Sequence, residues 1–247
     1  CGYLSRHYKN LLFHQSRFFI PVSFIALFCC LLVVQPDLGT AVLITMTCFA
    51  LLFLVGVRLR YFLVLFLVFS LVLFFLIISE PERVERVTAF SNPWMDQWGS
   101  GWQLSQALIA FGRGEWLGVG LGGSIQKLFY LPEAHNDFIL AVVAEETGIL
   151  GCSLLLLVFA LLINKIFSIG KRCLQVRHDF SGLACYFVGI LFSIQILINV
   201  GVSTGALPTK GLTLPLISYG GNSMVVSLFM LGIVLRSSKE METHDSY

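Results

Sequence analysis

Charge is scarce in this chain. Only 12% of its 247 residues are Asp, Glu, Lys or Arg, against 57% hydrophobic. A soluble domain carries about a quarter charged residues. This deficit, with a mean hydropathy of +0.85, excludes an ordinary water-soluble globule. Cysteine is present but badly placed for chemistry. None of the seven lies between residues 80 and 137, and no CxxC pair exists. Disulfide and metal-cage readings both fail on spacing, which leaves small apolar packing as the role of most of these residues. No cleavable leader is recognisable either. The basic stretch from Arg6 to Arg17 precedes an apolar segment as long as its neighbours, with no small-residue cleavage site. The first residue is Cys1 rather than Met, so the chain reads as a fragment of something longer. No internal repeat or low-complexity tract stands out.

What is abundant is long apolar runs. A bilayer-spanning helix needs about 20 mainly apolar residues. Six segments meet that description: 18–34, 38–57, 61–78, 138–163, 183–202 and 212–235. The predicted fold class is therefore all-α, a polytopic transmembrane helical protein. The net charge of +2 says little by itself, but its placement is informative. Arg6, Lys9 and Arg17, then Arg58 and Arg60, then Lys165, Lys171, Arg172 and Arg177, then Arg236 and Lys239 fall in alternate loops. The positive-inside rule puts those loops and both termini in the cytoplasm. The turn at 35–37, the long segment 80–137 and the loop 203–211 are then external.

The external segment 80–137 holds all four tryptophans, Trp94, Trp98, Trp102 and Trp116. Tryptophan favours the headgroup level, so this loop is expected to lie on or dip into the outer interface. Residues 103–111 read as a short amphipathic helix within it. A run GVGLGG at 118–123 supplies turns or close packing. It is not a dinucleotide site, because no strand precedes it.

Several charged residues stand where chemistry is possible. Arg83, Arg86, Arg113 and Lys127 are basic groups on the side that disfavours them. Beside a bilayer they suit an anionic headgroup such as a pyrophosphate, or else a solvated loop with local ion pairs. Glu133, His135 and Asp137 lie where the fourth span begins. An Asp there serves either as a helix cap or as a general base. The two roles compete, since a tightly capping carboxylate is a poor base. Glu145 and Glu146 follow within the span, where acids are costly and mark function or ion pairing. A 3.6-residue turn puts Glu145 about 80° around the helix from Asp137, facing the same cavity. Lys210 sits in a rigid outer turn, Leu207 to Gly211, and Ser218 in a run of small residues that breaks the last apolar stretch. Either segment lines a cavity or allows tight helix packing.

Taken together, these stretches resemble the SEDS family (shape, elongation, division and sporulation proteins) of bacterial cell-wall glycan polymerases. The matching segments are QPDLGTA at 35–41, RVTAFSNPW at 86–94, GSGWQLSQALIAFGRG at 99–114, QKLFYLPEAHNDFILAVVAEETGILG at 126–151 and LPTKGLTLPLISYGG at 207–221. The wording is closer to the divisional branch than to the elongation branch. Departures are Asn136 where Thr is usual, Ala144 and Thr147 for a Gly and a Leu, and Asn222 where Ser is common.

The resemblance implies a ten-helix fold, of which this chain is the C-terminal part, lacking about four spans. It implies a peptidoglycan glycosyltransferase that polymerises lipid II at the outer face of the bacterial cytoplasmic membrane during septal division. It places the essential external aspartate at Asp137. Arg86, Arg113, Lys127 and Lys210 are then candidates for the pyrophosphate, and Glu133 and His135 for substrate contact. Glu145 and Ser218 are candidate cavity-lining groups. A divalent metal, Mg or Mn, would assist the leaving group, and no organic cofactor is expected. The implied partners are lipid II, undecaprenyl-linked glycan, a class B penicillin-binding transpeptidase and other divisome membrane proteins, with no nucleic acid. Two rival functions remain open at this stage: a lipid II flippase and a non-catalytic divisome scaffold.

Overall fold

The computed structural model describes residues 1–11, 19–35, 37–96, 98–209 and 211–244. Among them the regular structure is helical. In chain order these are α1 (Gly2–Leu11), α2 (Phe19–Val34), α3 (Leu38–Leu54), α4 (Leu59–Ile78), α5 (Pro81–Ser91), α6 (Trp102–Gly114), a π-helical turn (Gln126–Tyr130), α7 (Ile139–Gln175), α8 (Asp179–Ser203) and α9 (Gly221–His244).

The apolar runs are helical over most of their length because in hydrocarbon only intrachain bonding satisfies the backbone. Helices α4, α7, α8 and α9 are long and apolar enough to cross a membrane, and α2 and α3 are shorter apolar helices. The chain is a multi-pass membrane protein. The window of α4 has no buried residue at all. A helix that apolar is stable only with hydrocarbon or other apolar helices around it. Helix α3 is capped by Asp37, whose Oδ1 accepts the N–H of Thr40 at 3.0 Å.

The last helix differs from expectation. It begins at Gly221 and not at 212. Pro215 interrupts the run, and Leu216 adopts a left-handed φ of 66°. Residues 211–220 therefore form an irregular segment, although their composition is apolar. The loop 80–137 is also more helical than composition suggests. It contains α5 and α6, the second being slightly longer than the amphipathic stretch predicted at 103–111.

The described residues fall into two compact units. One comprises Cys1–Val68, Leu161–Ile194 and Val226–Tyr247, and the other Phe69–Ala160 and Gln195–Val225. The first has a core of Leu4, Leu51, Leu52, Leu183 and Ile190. The second is built on Ala107 and Ala110 of α6, Leu131 and Ala134 of the loop, Phe138, Ala141 and Val142 at the head of α7, and Val202 of α8. The small alanines of α6 let it lie close beneath the 131–138 turn. That turn carries the candidate site, which lies within the second unit.

Candidate active site

The site is built on a broken helix. Gly148 interrupts α7 with φ 69° and ψ −171°. A break inside an apolar helix frees backbone groups that must be satisfied within the protein. The loop after α6 satisfies them. The N–H groups of Val119 and Gly120 donate to the carbonyls of Glu145 and Glu146 at 2.9 and 3.0 Å. The N–H groups of Ile149 and Leu150 donate to the carbonyls of Glu115 and Trp116 at 2.9 and 3.3 Å. The approach is so close that a Cβ on Gly148 would lie 2.4 Å from the Trp116 backbone, and one on Gly118 would lie 2.1 Å from the Glu146 carbonyl oxygen. Close packing is thus the role of the first glycine of the GVGLGG run.

The acids just before the break lock the same loop by their side chains. Glu145 is completely buried. Its Oε1 accepts from Arg113 Nη1 at 2.7 Å and from the Ile125 N–H at 3.1 Å. Its Oε2 accepts from Ser124 Oγ at 2.5 Å and from the Gln126 N–H at 3.2 Å. The expectation that Glu145 lines a cavity with Asp137 does not hold. Asp137 precedes the helix, so the angular argument fails, and the carboxylate is enclosed by donors. Glu146 accepts from Lys127 Nζ at 2.7 Å, and that ammonium also donates to the Gly122 carbonyl at 2.8 Å. Arg113 and Lys127 are therefore paired, yet their side chains stay 39% and 34% exposed. A guanidinium carries five N–H donors and an ammonium three, so both retain donors for a further anion.

Asp137 closes a turn that starts at Glu133. Glu133 has a left-handed φ of 53°, and its carbonyl accepts the N–H groups of Asn136 and Asp137 at 3.0 and 3.1 Å. The Asn136 amide donates to the Glu133 carboxylate. Three successive carbonyls of this turn are held from outside it. The Tyr219 N–H donates to His135 at 2.9 Å, Ser218 Oγ to Asn136 at 2.5 Å, and Asn199 Nδ2 to Asp137 at 2.9 Å. Ser218 also accepts the Leu214 N–H at 2.7 Å, so it braces two segments and is buried, not cavity-lining. Asn199 donates a second bond to the Leu212 carbonyl at 2.8 Å, and Gln195, one turn earlier on α8, donates to Thr213 at 2.8 Å. These amides pin the irregular 211–214 segment across the head of α7.

The Asp137 carboxylate itself accepts no hydrogen bond among the described residues. It does not cap α7. A Cβ added at Gly211 would lie 2.8 Å from its Oδ2, so only glycine leaves the carboxylate room. Burial, and secondarily the charge of Glu133, raises its pKa from 3.8 to about 6. Such a group is mostly ionised at neutral pH yet still a competent base. Glu133 and His135 are exposed beside it. Lys210 lies outside the described residues, as does the side chain of Arg86, whose backbone belongs to α5.

Sequence reading missed Asn199, Gln195 and Gly211. A signal existed for the first two. They are amides four residues apart in an apolar span, on one helix face, and buried polar groups in such spans bond to something. Gly211 gave no signal, because its role is to be empty.

Residues 1–243 match the FtsW/RodA/SpoVE model, described as a cell cycle protein. The chain is 48% identical over 241 residues to a probable peptidoglycan glycosyltransferase FtsW of Coxiella burnetii, covering 98% of this chain and 65% of that protein. It is 48% identical over 239 residues to the protein of the same description from Idiomarina loihiensis, covering 97% and 58%. Among solved structures it superimposes with a TM-score of 0.70, at 30% identity, on a chain from work on the structural coordination of polymerization and crosslinking by a peptidoglycan synthase complex. That match covers 91% of this chain and 62% of the other. A Thermus thermophilus rod-shape-determining protein RodA, crystallised as an Asp-to-Ala variant, matches at 26% identity and a TM-score of 0.63 over 96% of this chain and 62% of its own. The chain thus spans less than two thirds of the length of these relatives. With a matched family model running over nearly its whole length and a helical membrane fold shared with these structures, the chain belongs to the FtsW/RodA/SpoVE family of cell cycle proteins.

Proposed function

We propose that this chain forms the catalytic part of a peptidoglycan glycosyltransferase that polymerises lipid II on the outer face of the cytoplasmic membrane during septal division. The observation that carries the reading is Asp137, a half-buried carboxylate with raised pKa, accepting no hydrogen bond among the described residues and rigidly presented at a helix head. The acceptor is the 4-hydroxyl of a lipid II sugar. Asp137 takes its proton as the oxygen attacks the anomeric carbon of the growing strand. The bond from that carbon to the undecaprenyl pyrophosphate oxygen breaks, and the leaving group departs with the electron pair. Attack from the opposite face inverts the centre and gives a β-linkage.

Developing charge on the pyrophosphate needs preorganised donors. Arg113 and Lys127 supply them, oriented by Glu145 and Glu146. Arg86 and Lys210 are further candidates, and Glu133 and His135 flank the acceptor. Among the described residues no three His, Cys, Asp or Glu side chains cluster as metal ligands. The donor set does not fit a cage made of protein alone, and no step here is routed through a metal. The partner proposed is a class B penicillin-binding transpeptidase, with other divisome membrane proteins around the pair. Both chain termini are assigned to the cytoplasm on the charge pattern. Pairing of Glu145 and Glu146 with loop cations favours this reading over a lipid flippase, which needs ionisable groups available within its spans.

The test uses the full-length protein with its transpeptidase partner, purified in detergent and given lipid II. Glycan product should form where no second leaflet exists, and Asp137→Ala should abolish it. Wild-type polymerisation in that variant would overturn the assignment.

A further inference from the structure

A second site lies in the same unit. A cleft of about 510 Å³ is lined by Glu85 of α5, Gly99 and Ser100 of the following turn, Trp102 and Gln103 of α6, and Pro132 and Thr209. That volume falls within the range of small-ligand sites. One wall is aromatic. Trp102 stacks on Trp98, with ring centroids 5.2 Å apart and planes 27° from parallel. Trp98 itself does not line the cleft; it is 79% exposed, so the stack extends the aromatic face outward from Trp102.

The rest of the cleft is polar and preorganised. Asp96 Oδ2 accepts from both the N–H and the Oγ of Ser100, at 2.8 and 2.9 Å, which fixes the turn. Trp102 Nε1 donates to the Tyr130 carbonyl at 3.0 Å, which fixes the ring. Interfacial tryptophans ordinarily offer the indole N–H to headgroups, and here Trp102 has spent its own. Among the described lining residues the one formal charge is the carboxylate of Glu85. A rigid aromatic face beside a carboxylate, an amide and hydroxyls suits a neutral ligand with an apolar C–H face and many hydroxyls, that is, a sugar ring.

The cleft also adjoins the catalytic turn. Pro132 precedes the turn ending at Asp137, and Thr209 is two residues from Gly211, which lies against the Asp137 carboxylate. Two peptide units span at most about 7 Å. We propose that this cleft is a saccharide subsite that holds an N-acetylated glycan strand beside Asp137, with the Trp98–Trp102 stack as its platform. Its part in polymerisation rests on the glycosyltransferase reading, whereas saccharide binding does not.

The test is binding of chitotetraose, a soluble β-1,4-linked N-acetylglucosamine tetramer, to the full-length protein in nanodiscs, read by saturation-transfer NMR. Wild type and Asp137→Asn should bind alike and saturably. Trp98→Ala should weaken binding by about three- to tenfold, the range for losing one ring contact, and Trp98→Phe should retain most of it. With lipid II, Trp98→Ala should make shorter strands. Equal binding by wild type and Trp98→Ala would leave the pair as a membrane anchor and overturn the proposal. So would the absence of saturable binding to protein that polymerises lipid II, or competition by inorganic pyrophosphate. Saturable, Trp98-dependent binding to a protein that never polymerises lipid II would uphold the subsite and sink the glycosyltransferase reading instead.

Discussion

Replacing Glu145 with Gln in the full-length protein changes one atom and should unlock the loop that carries Arg113 and Lys127. Each carboxylate oxygen now accepts two hydrogen bonds, from Arg113 and Ile125 on one side and from Ser124 and Gln126 on the other. An amide keeps one acceptor. If its oxygen faces Arg113 and Ile125, its NH2 meets the Ser124 hydroxyl, which can rotate to accept, and the Gln126 N–H, which cannot. One buried N–H is then orphaned, costing about 1–3 kcal/mol, and the bond to Arg113 loses its ionised acceptor, about another 1–2 kcal/mol. Together this is about 2–5 kcal/mol, overlapping the cost of breaking a buried ion pair. For a chain of this size it corresponds to a loss on the order of 10 °C in Tm. The assay is thermal unfolding followed by tryptophan fluorescence, with hydrogen exchange read at Ile125 and Gln126. Both amides should exchange faster in the variant. A Tm within about a degree of wild type, with unchanged protection at those two amides, would refute the claim that Glu145 holds this loop.

Polymerisation should show an acid limb near pH 6, where Asp137 ionises, and Asp137→Asn should remove both the limb and the activity. The sign for stability is opposite. An acid whose pKa rises on folding favours the native state below its unfolded value of 3.8 and loses that contribution as pH climbs through about 6. Asp137→Asn should flatten the pH dependence of unfolding across that window. Gly211→Ala should lower kcat with little change in Tm, because the added methyl, 2.8 Å from Oδ2, displaces the Asp137 carboxylate rather than backbone; an unchanged kcat would argue that the carboxylate position is not critical. Gly148→Ala should prevent stable folding, since φ 69° and a 2.4 Å approach to the Trp116 backbone leave no place for a Cβ. Normal yield and a wild-type Tm for that variant would contradict the broken-helix geometry.

The six apolar helices were legible because hydrocarbon imposes a simple rule, length and apolarity, that composition satisfies locally. The turn at Asp137 was legible as a polar cluster at a helix head. What composition misjudged was continuity. Residues 212–220 are as apolar as a span, yet Pro215 and the left-handed Leu216 keep them irregular, and side chains from α8 supply the missing bonds.

The sequence by itself determined that this chain crosses a membrane several times and clusters polar and charged groups between the third and fourth spans. Tertiary structure alone decided how those groups are used. It broke α7 at Gly148, because a distant loop could satisfy the freed backbone groups. It gave Glu145 to Arg113 and Glu146 to Lys127, and left the Asp137 carboxylate without a hydrogen bond among the described residues. Whether an acid caps, pairs or stands free depends on which donors arrive from segments far along the chain, and local sequence does not encode their arrival.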